Sequence, residues 1–262
     1  RQMTRTHISF SELKIWNECA FKHKLVYIDE IKKFLGNEYT AFGTAIHHVC
    51  EKIIEEVENI DLELLFQEKF LEELKILTEK KVALNQKLIS DMRPQGRNII
   101  KYILPAVKEK FGQYEVISVE EQLLEPIENK DYFFKGFIDL VIKTADGKIH
   151  VIDWKSCSWG WDSRRKTDRM TTYQLTLYKH FFALKHNIDP KNIETHFALL
   201  KRTAKTNNVE IFRVTSAAKK TENALKLLNT AIYNIKNKRY IKNRLSCTGG
   251  YGCKFYKTEH CP

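Results

Sequence analysis

The chain has no run of about 18 apolar residues, the length that a membrane-spanning helix needs, so we expect no transmembrane segment and no membrane partner. Residues 1–7 lack the apolar stretch of a secretory signal, which predicts a cytoplasmic location. No internal repeat or low-complexity tract occurs. Hydrophobic residues make up 43% of the 262 residues, which is typical of a globular protein.

Acidic residues are too few to balance the basic ones. Lys and Arg together number 44 against 33 for Asp and Glu, a formal net charge of +11. Such an excess favours a polyanionic partner, either nucleic acid or an anionic surface. A basic composition indicates such a partner only when the chain also has a site that could bind phosphate.

The most informative stretch is a pair of apolar runs that contain charged residues. Asp139 lies in the run 136–140, and Asp153 and Lys155 lie in the run 151–155. The intervening Asp146-Gly147 predicts a hairpin, in which Asp153 and Lys155 project from the same side of a strand. Charges within apolar strands are costly to bury unless they are paired or bind a metal.

Metal-assisted phosphodiester hydrolysis is the chemistry that fits this pattern. Two carboxylates can hold Mg²⁺ or Mn²⁺, which polarises a phosphate and lowers the pKa of a bound water. Lys155 would orient the water or stabilise charge on the phosphate. The alternative is a surface hairpin whose Asp153 and Lys155 form a solvated ion pair.

Periodicity and capping patterns place these runs among helices and further strands. Ser9 to Glu12 form a capping box that opens a helix to about residue 27, and a second helix spans about 42–57. A charged, leucine-rich helical insertion covers about 60–112, with interruptions at 94–96 and 105. Further strands are predicted at 114–124, 193–201 and 209–214, and further helices at 170–185 and 217–238.

Four short motifs occur in chain order, and together they resemble the PD-(D/E)XK nuclease superfamily. The resemblance is to its RecB-like exonuclease branch, which includes CRISPR-associated RecB-like exonucleases and many phage nucleases. The motifs are Gly43 to His47 followed by Glu51, Gly136 to Asp139, Asp153-Trp154-Lys155, and Gln174 to Tyr178.

This resemblance implies a fold and a set of roles. The fold would be α/β, a restriction-endonuclease-like core with a central mixed sheet of about five strands, forming a single nuclease domain over residues 1–262. The resemblance assigns His47, Asp139, Asp153 and the Trp154 carbonyl as ligands of Mg²⁺ or Mn²⁺. It assigns Lys155 as the catalytic lysine, and Gln174 and Tyr178 as residues that position the site or the DNA strand.

The cysteines predict a second metal centre. In a chain without a secretory signal, metal binding is a better reading than disulfides. Cys19 together with Cys247, Cys253 and Cys261 in the tail 246–262 resembles the split [4Fe–4S] site of iron–sulfur nucleases. The intervals of five and then seven residues depart from the usual tighter C-x-x-C pair. Four thiolates also suit zinc, so zinc is the alternative.

A basic loop with two tryptophans follows the predicted catalytic strand. Bases stack on aromatic rings while arginines contact phosphates, so the loop predicts contacts with single-stranded DNA. The alternative is a solvated loop with core-packed tryptophans. The candidate contacts are Trp159, Trp161, Arg164, Arg165 and Arg169.

The combined prediction is a metal-dependent DNA exonuclease acting on single-stranded ends in recombination, repair or CRISPR-related processing, with proteins of those pathways as candidate partners. The rival is a non-catalytic iron–sulfur or zinc subunit that binds nucleic acid, against which the intact Asp139, Asp153 and Lys155 argue. A sequence-specific endonuclease is a third possibility that no recognisable specificity domain supports.

Overall fold

A computed structural model describes residues 6–31 and 34–262 and contains a six-stranded mixed sheet. The sheet confirms the predicted α/β class. Five strands lie where the sequence places them, and a short additional strand precedes them, because three residues are too few to show alternation. The strands are β1 (His7–Ser9), β2 (Tyr114–Pro126), β3 (Phe133–Thr144), β4 (Ile149–Cys157), β5 (Ile193–Lys201) and β6 (Val209–Val214).

Strand β3 organises the sheet. Strand β2 pairs antiparallel along one edge of β3, whereas β1 and β4 pair with different ends of the other edge. The β3–β4 hairpin turns at Asp146-Gly147, as predicted, with Gly147 at a φ of 84°. Beyond β4 the sheet continues with β5, parallel to β4, and with β6, antiparallel to β5.

Nine α-helices are present in the described residues, and helices cover both faces of the sheet. The helices are α1 (Phe10–Glu18), α2 (Ala20–His23), α3 (Glu38–Ile54), α4 (Leu62–Glu79), α5 (Gln86–Phe111), α6 (Ser163–Lys166), α7 (Arg169–His186), α8 (Ala218–Lys236) and α9 (Leu245–Thr248). A π-helix covers Lys24–Ile28 and a 3₁₀ turn covers Pro190–Asn192. Helices α1, α7 and α8 enclose one core, and α3, α4 and α5 enclose the other.

The first predicted helix is correct at its start and wrong in its length. Ser9 Oγ accepts from the Glu12 amide at 3.2 Å and Glu12 Oε2 accepts from the Ser9 amide at 2.9 Å, so the capping box is present. The helix ends at Glu18, because Cys19 adopts extended backbone angles of φ −164° and ψ 116°. The second predicted helix also differs, since α3 begins at Glu38, behind an Asn37 cap.

The interruptions expected in the helical insertion are wrong. Helix α5 runs without a break through Pro94 and Pro105. Each proline removes one backbone hydrogen bond. The apolar face of α5, including Met92, Ile99 and Ile103, is fully buried against α3 and α4, and packing of such a face stabilises a helix more than local propensity does.

Among the described residues, no helix combines the length and the apolar character that crossing a membrane requires. The segment 1–7, on which the prediction of no secretory signal rests, lies mostly outside the described residues, which begin at Thr6.

Candidate active site

The candidate site lies where β3 and β4 separate. Their ladder ends at the pair Leu140 and Ile152, so Asp139 and Asp153 face the opening between the two strands. Asp139 Oδ2 accepts a hydrogen bond of 2.8 Å from the Trp154 amide, which has no partner on β3. One carboxylate therefore fixes the backbone of the strand that carries the other.

Asp153 and Lys155 lie on the same side of β4, as alternation requires. Lys155 Nζ lies 2.9 Å from Asp153 Oδ2. The Asp153 side chain is 5% exposed and that of Lys155 is 32% exposed. Because the carboxylate of Asp153 is buried, the Asp153–Lys155 ion pair is not the solvated surface pair of the alternative interpretation.

Helix α3 brings His47 to Asp153. The helix approaches the end of β4 closely at Gly43, where an added Cβ would lie 3.3 Å from Ser156 Oγ. His47 lies one helical turn after Gly43. Burial lowers the pKa of His47, and the positive charge of Lys155 lowers it further. The Asp153 carboxylate and a hydrogen bond with the Trp154 backbone act in the opposite direction. The glycine of the first motif therefore serves to place its histidine beside Asp153.

Helix α7 supplies Gln174 and Tyr178. Gln174 Nε2 donates to the Tyr178 hydroxyl at 3.3 Å. Burial and the Asp153 and Asp139 carboxylates raise the pKa of Tyr178. The ring packs on β3 at Gly136, where an added Cβ would lie 2.8 Å from Tyr178 Cε1, so the space left by glycine is needed for this contact.

A carboxylate that the motifs do not include also reaches the site. Glu120 on β2 has a φ of 50°, and the β2–β3 register has no partner for it between Val119 and Glu121. Loss of solvent contact and the nearby Glu51 carboxylate raise the pKa of Glu120, while a hydrogen bond with Asp139 acts in the opposite direction. A non-glycine residue at positive φ within a strand is strained, and such strain is frequent at functional sites.

The balance of charge suits a divalent cation. Burial and the Asp153 carboxylate raise the pKa of Asp139 well above its usual range, and the Trp154 amide only partly offsets this. Oxygen donors with one imidazole are a suitable set for Mg²⁺ or Mn²⁺. Four carboxylates converge with one lysine: Glu51, Glu120, Asp139 and Asp153 with Lys155.

The raised pKa of Asp139 leads to a stability prediction. A carboxyl group whose pKa is higher in the folded state costs stability as the pH rises from its unfolded value, about 3.9, through its folded value. In EDTA, the Asp139→Asn variant should therefore be more stable than the wild type at pH 8, by roughly 1 kcal/mol or a few degrees in melting temperature. The amide oxygen can still accept from Trp154.

Thermal unfolding between pH 4 and pH 8 checks this expectation. The advantage of the variant should shrink towards pH 4, and Mn²⁺ should stabilise the wild type more than the variant. The exposed Asp91→Asn on α5 is the matched control and should show no such pH dependence. If Asp139→Asn is less stable than the wild type at every pH, burial of a charged Asp139 is not the dominant cost.

The predicted DNA-contacting residues divide into two groups. Trp159 is 78% exposed, and Arg164, Arg165 and Arg169 are also exposed. Trp161 is 8% exposed and packs edge-on against Phe197 and Phe212, with the Arg165 guanidinium 4.4 Å from its ring centre. Burial at this level disfavours a base-stacking role for Trp161, because little of its ring is accessible to a base.

The four cysteines assigned to a cluster lie in the same region of the fold. Cys19, at the break between α1 and α2, accepts from the Asn243 amide at 3.3 Å through its Sγ. The Cys253 amide donates to the Cys247 carbonyl at 2.9 Å. Burial raises the pKa of Cys247, and so do the neighbouring Cys253, Cys261 and Cys19 thiols. The other two cysteines, Cys50 and Cys157, lie in or beside the main cores.

Two features were missed by reasoning from the sequence. Glu120 had no motif to mark it, although its place opposite Asp139 follows once β2 is aligned with β3. The second is a group of potential metal ligands, His150, Glu194 and His196, whose donor atoms all lie within 4.8 Å of one another. The alternation of Glu194 and His196 on one predicted strand was the available signal.

The chain is similar to known proteins in sequence profile and in fold. The profile of the PD-(D/E)XK nuclease superfamily matches residues 7–261. No curated protein matches the chain. A crystal structure from Eubacterium rectale, named "Putative exonuclease", shares 13% identity with a TM-score of 0.59, over 93% of this chain and 86% of that one. A structure named SSO0001 shares 13% identity, over 89% of this chain and 78% of that one, with a TM-score of 0.38.

Proposed function

The chain belongs to the PD-(D/E)XK nuclease superfamily, and from that membership we propose that it is a metal-dependent DNA exonuclease of the RecB-like branch. The observation that carries the proposal is the meeting of Asp139, Asp153 and Lys155 where β3 and β4 separate. The whole chain is proposed to form one nuclease domain, in which α4 and α5 are the helical insertion.

The roles of the side chains follow from their positions. His47, Asp139, Asp153 and the Trp154 carbonyl would hold Mg²⁺ or Mn²⁺, with Glu120 as a further carboxylate beside Asp139. The bound cation would supply polarisation of the phosphate and activation of a water.

Lys155 carries the fixed positive charge of the site. Its ammonium is held at the mouth of the site by the buried Asp153, so it can stabilise negative charge on the phosphate without reorganising. Tyr178 and Gln174 act as positioning residues, because they pack beside both carboxylates rather than bearing a group suited to proton transfer.

Single-stranded ends are the proposed substrate. The exposed Trp159 beside Arg164, Arg165 and Arg169 combines a stacking surface with phosphate-binding cations, a combination that suits an unpaired strand regardless of sequence. The formal charge of +11 favours the same polyanion. The name of the Eubacterium rectale structure agrees with exonuclease activity.

The cysteine cluster is proposed to hold [4Fe–4S], with zinc as the alternative. Thiols from opposite ends of the described chain lie in one region of the fold, and two of them, Cys253 and Cys261, pack with Leu25 and Phe255 in a small apolar cluster. Such a centre would stabilise the folded domain by binding only where all four ligands are assembled.

The experiment that tests the function is a cleavage assay on labelled DNA. The substrates are a linear single strand, a linear duplex and a circular single strand, each with Mn²⁺ or with EDTA. We expect Mn²⁺-dependent shortening of the linear single strand from one end, with the circle left intact. Cutting of the circle would indicate an endonuclease. Linear DNA that binds but stays intact with Mn²⁺ would favour the non-catalytic rival.

A further inference from the structure

A second group of metal-ligating side chains lies between two parallel strands. His150 on β4 is paired in register with Glu194 on β5, and His196 lies two residues further along β5, on the same face. His150 Nδ1 lies 3.0 Å from His196 Nε2 and 3.5 Å from Glu194 Oε2. Both histidines are buried, with 6% and 2% of their surface exposed.

The glutamate has one oxygen engaged and one turned towards the histidines. Glu194 Oε1 accepts from Lys148 Nζ at 2.9 Å and lies 3.4 Å from Arg213 Nη1. Glu194 Oε2 is the oxygen that faces His150. The two cations therefore fix the orientation of the carboxylate and leave one oxygen for another positive partner.

The first histidine has the outer contacts that metal-binding histidines usually have. His150 Nε2 lies 3.0 Å from Thr144 Oγ1, which in turn donates to Asp146 Oδ1 at 2.5 Å. In a chain of this kind the imidazole Nε2–H donates to the hydroxyl, which in turn donates to the carboxylate, so the ring is fixed and its Nδ1 lone pair points towards His196 and Glu194. Phe111, at the end of α5, packs against the rings of both His150 and His196.

The second histidine faces the group through Nε2, the ring nitrogen that would bind the metal. His196 Nδ1 is buried and makes no hydrogen bond, and Nε2 faces only His150. Burial lowers the pKa of His150, and burial together with His150 lowers the pKa of His196 to about 3. Both rings are therefore neutral near pH 7, which is the state in which imidazole binds a metal.

We propose that His150, His196 and Glu194 bind one transition-metal ion of the zinc class, at a site separate from the candidate active site. Ligand atoms at about 2.0–2.2 Å from a tetrahedral ion lie about 3.3–3.6 Å apart, and the observed 3.0 and 3.5 Å are close to this spacing. Two imidazole nitrogens and one carboxylate oxygen suit Zn²⁺ better than Mg²⁺.

The surroundings set the remaining properties of the site. A neighbouring cavity of about 340 Å³, lined by Lys110, Phe111, Thr144, Asp146 and His150 among others, lets water supply the fourth ligand. Lys148 and Arg213 oppose a further cation, so the affinity should be weaker than in a site without them. A bound ion would join β4 to β5, three residues before Asp153, and would act as a structural clamp.

Zinc content and anomalous diffraction of the full chain test this proposal. Protein equilibrated with micromolar Zn²⁺ is desalted, and zinc per chain is measured for the wild type, His196→Ala and the near-isosteric Glu194→Gln. The control is His186→Ala on α7, a histidine bonded to Glu121 outside the group. Ions at other sites contribute equally to all four proteins.

We expect one equivalent less zinc in His196→Ala and Glu194→Gln, an unchanged content in His186→Ala, and an anomalous peak between His150 and His196 in wild-type crystals. If His196→Ala does not fold, Glu194→Gln decides, because it keeps the shape of the side chain. Equal zinc in the wild type and Glu194→Gln, or crystals with no peak there, would overturn the proposal. Neither result depends on whether the chain cleaves DNA.

Discussion

The Lys155→Ala variant should lose about 10²–10³ of the Mn²⁺-dependent cleavage rate, because removal of one preorganised charge-stabilising group typically has an effect of this size. Lys155 Nζ lies 2.9 Å from the buried Asp153 carboxylate, and the lysine side chain is partly exposed. Single-turnover cleavage of the labelled linear strand measures the loss directly. Binding of the same DNA in EDTA should change little, since many other basic residues contribute to it.

The matched control is Lys143→Ala. Lys143 is an exposed lysine on β3, next to the hairpin turn and outside the site. The Lys143→Ala variant removes the same charge from the same sheet as Lys155→Ala does. Because only the general electrostatics change, its cleavage rate should stay within about twofold of the wild type. Full activity of Lys155→Ala would mean that a contaminating nuclease cleaves the DNA or that the chemistry takes place elsewhere.

The second large effect is expected from Cys247→Ala. If the four cysteines hold [4Fe–4S], anaerobically prepared wild type should be brown and absorb near about 400 nm, and the variant should lose this band. The melting temperature should fall by roughly 5–10 °C, because metal binding at an assembled site is part of the free energy of folding. Absorption spectra, iron content and thermal unfolding measure these changes.

Cys157→Ala is the control for this experiment. Cys157 is half-buried at the end of β4 and packs against the main core, away from the tail. Its substitution should leave the absorption band and the iron content unchanged. A colourless wild type with stoichiometric zinc would show that the cysteines hold zinc and not iron. A wild type with neither metal would rule out a metal centre at these cysteines.

The sequence predicted best those features that depend on neighbours along the chain. The Ser9 capping box, the Asp146-Gly147 turn and the shared side of Asp153 and Lys155 all depend on residues within a few positions. Local rules determine such features whatever the remainder of the chain does.

The features that the sequence did not predict depend on partners far along the chain. Pro94 and Pro105 do not interrupt α5, because burial against α3 and α4 outweighs the lost hydrogen bonds. The sequence left the position of Trp161 open between DNA contact and core packing, and it is in the core, packed against Phe197 and Phe212 from later strands. Composition alone cannot distinguish an exposed tryptophan from a buried one in a basic loop.

The candidate site shows the same division. Gly43, Gly136, Gln174 and Tyr178 could be selected by their spacing, and the structure supplies a reason for both glycines, a close approach in each case. Glu120 could not be selected in this way, because its place opposite Asp139 depends on the alignment of β2 with β3, which no short motif marks.

The contact between Cys19 and the C-terminal segment affects the order of events during synthesis. Cys19 and Asn243 are separated by 224 residues, so the ribosome must complete the entire sheet before this contact can form. Contacts with so large a sequence separation form slowly, and domains whose closure depends on them spend longer in partly folded states. We therefore expect the nascent chain to need protection from aggregation until Cys247, Cys253 and Cys261 emerge, and insertion of the proposed cluster, if [4Fe–4S] is present, to be a late, post-translational step.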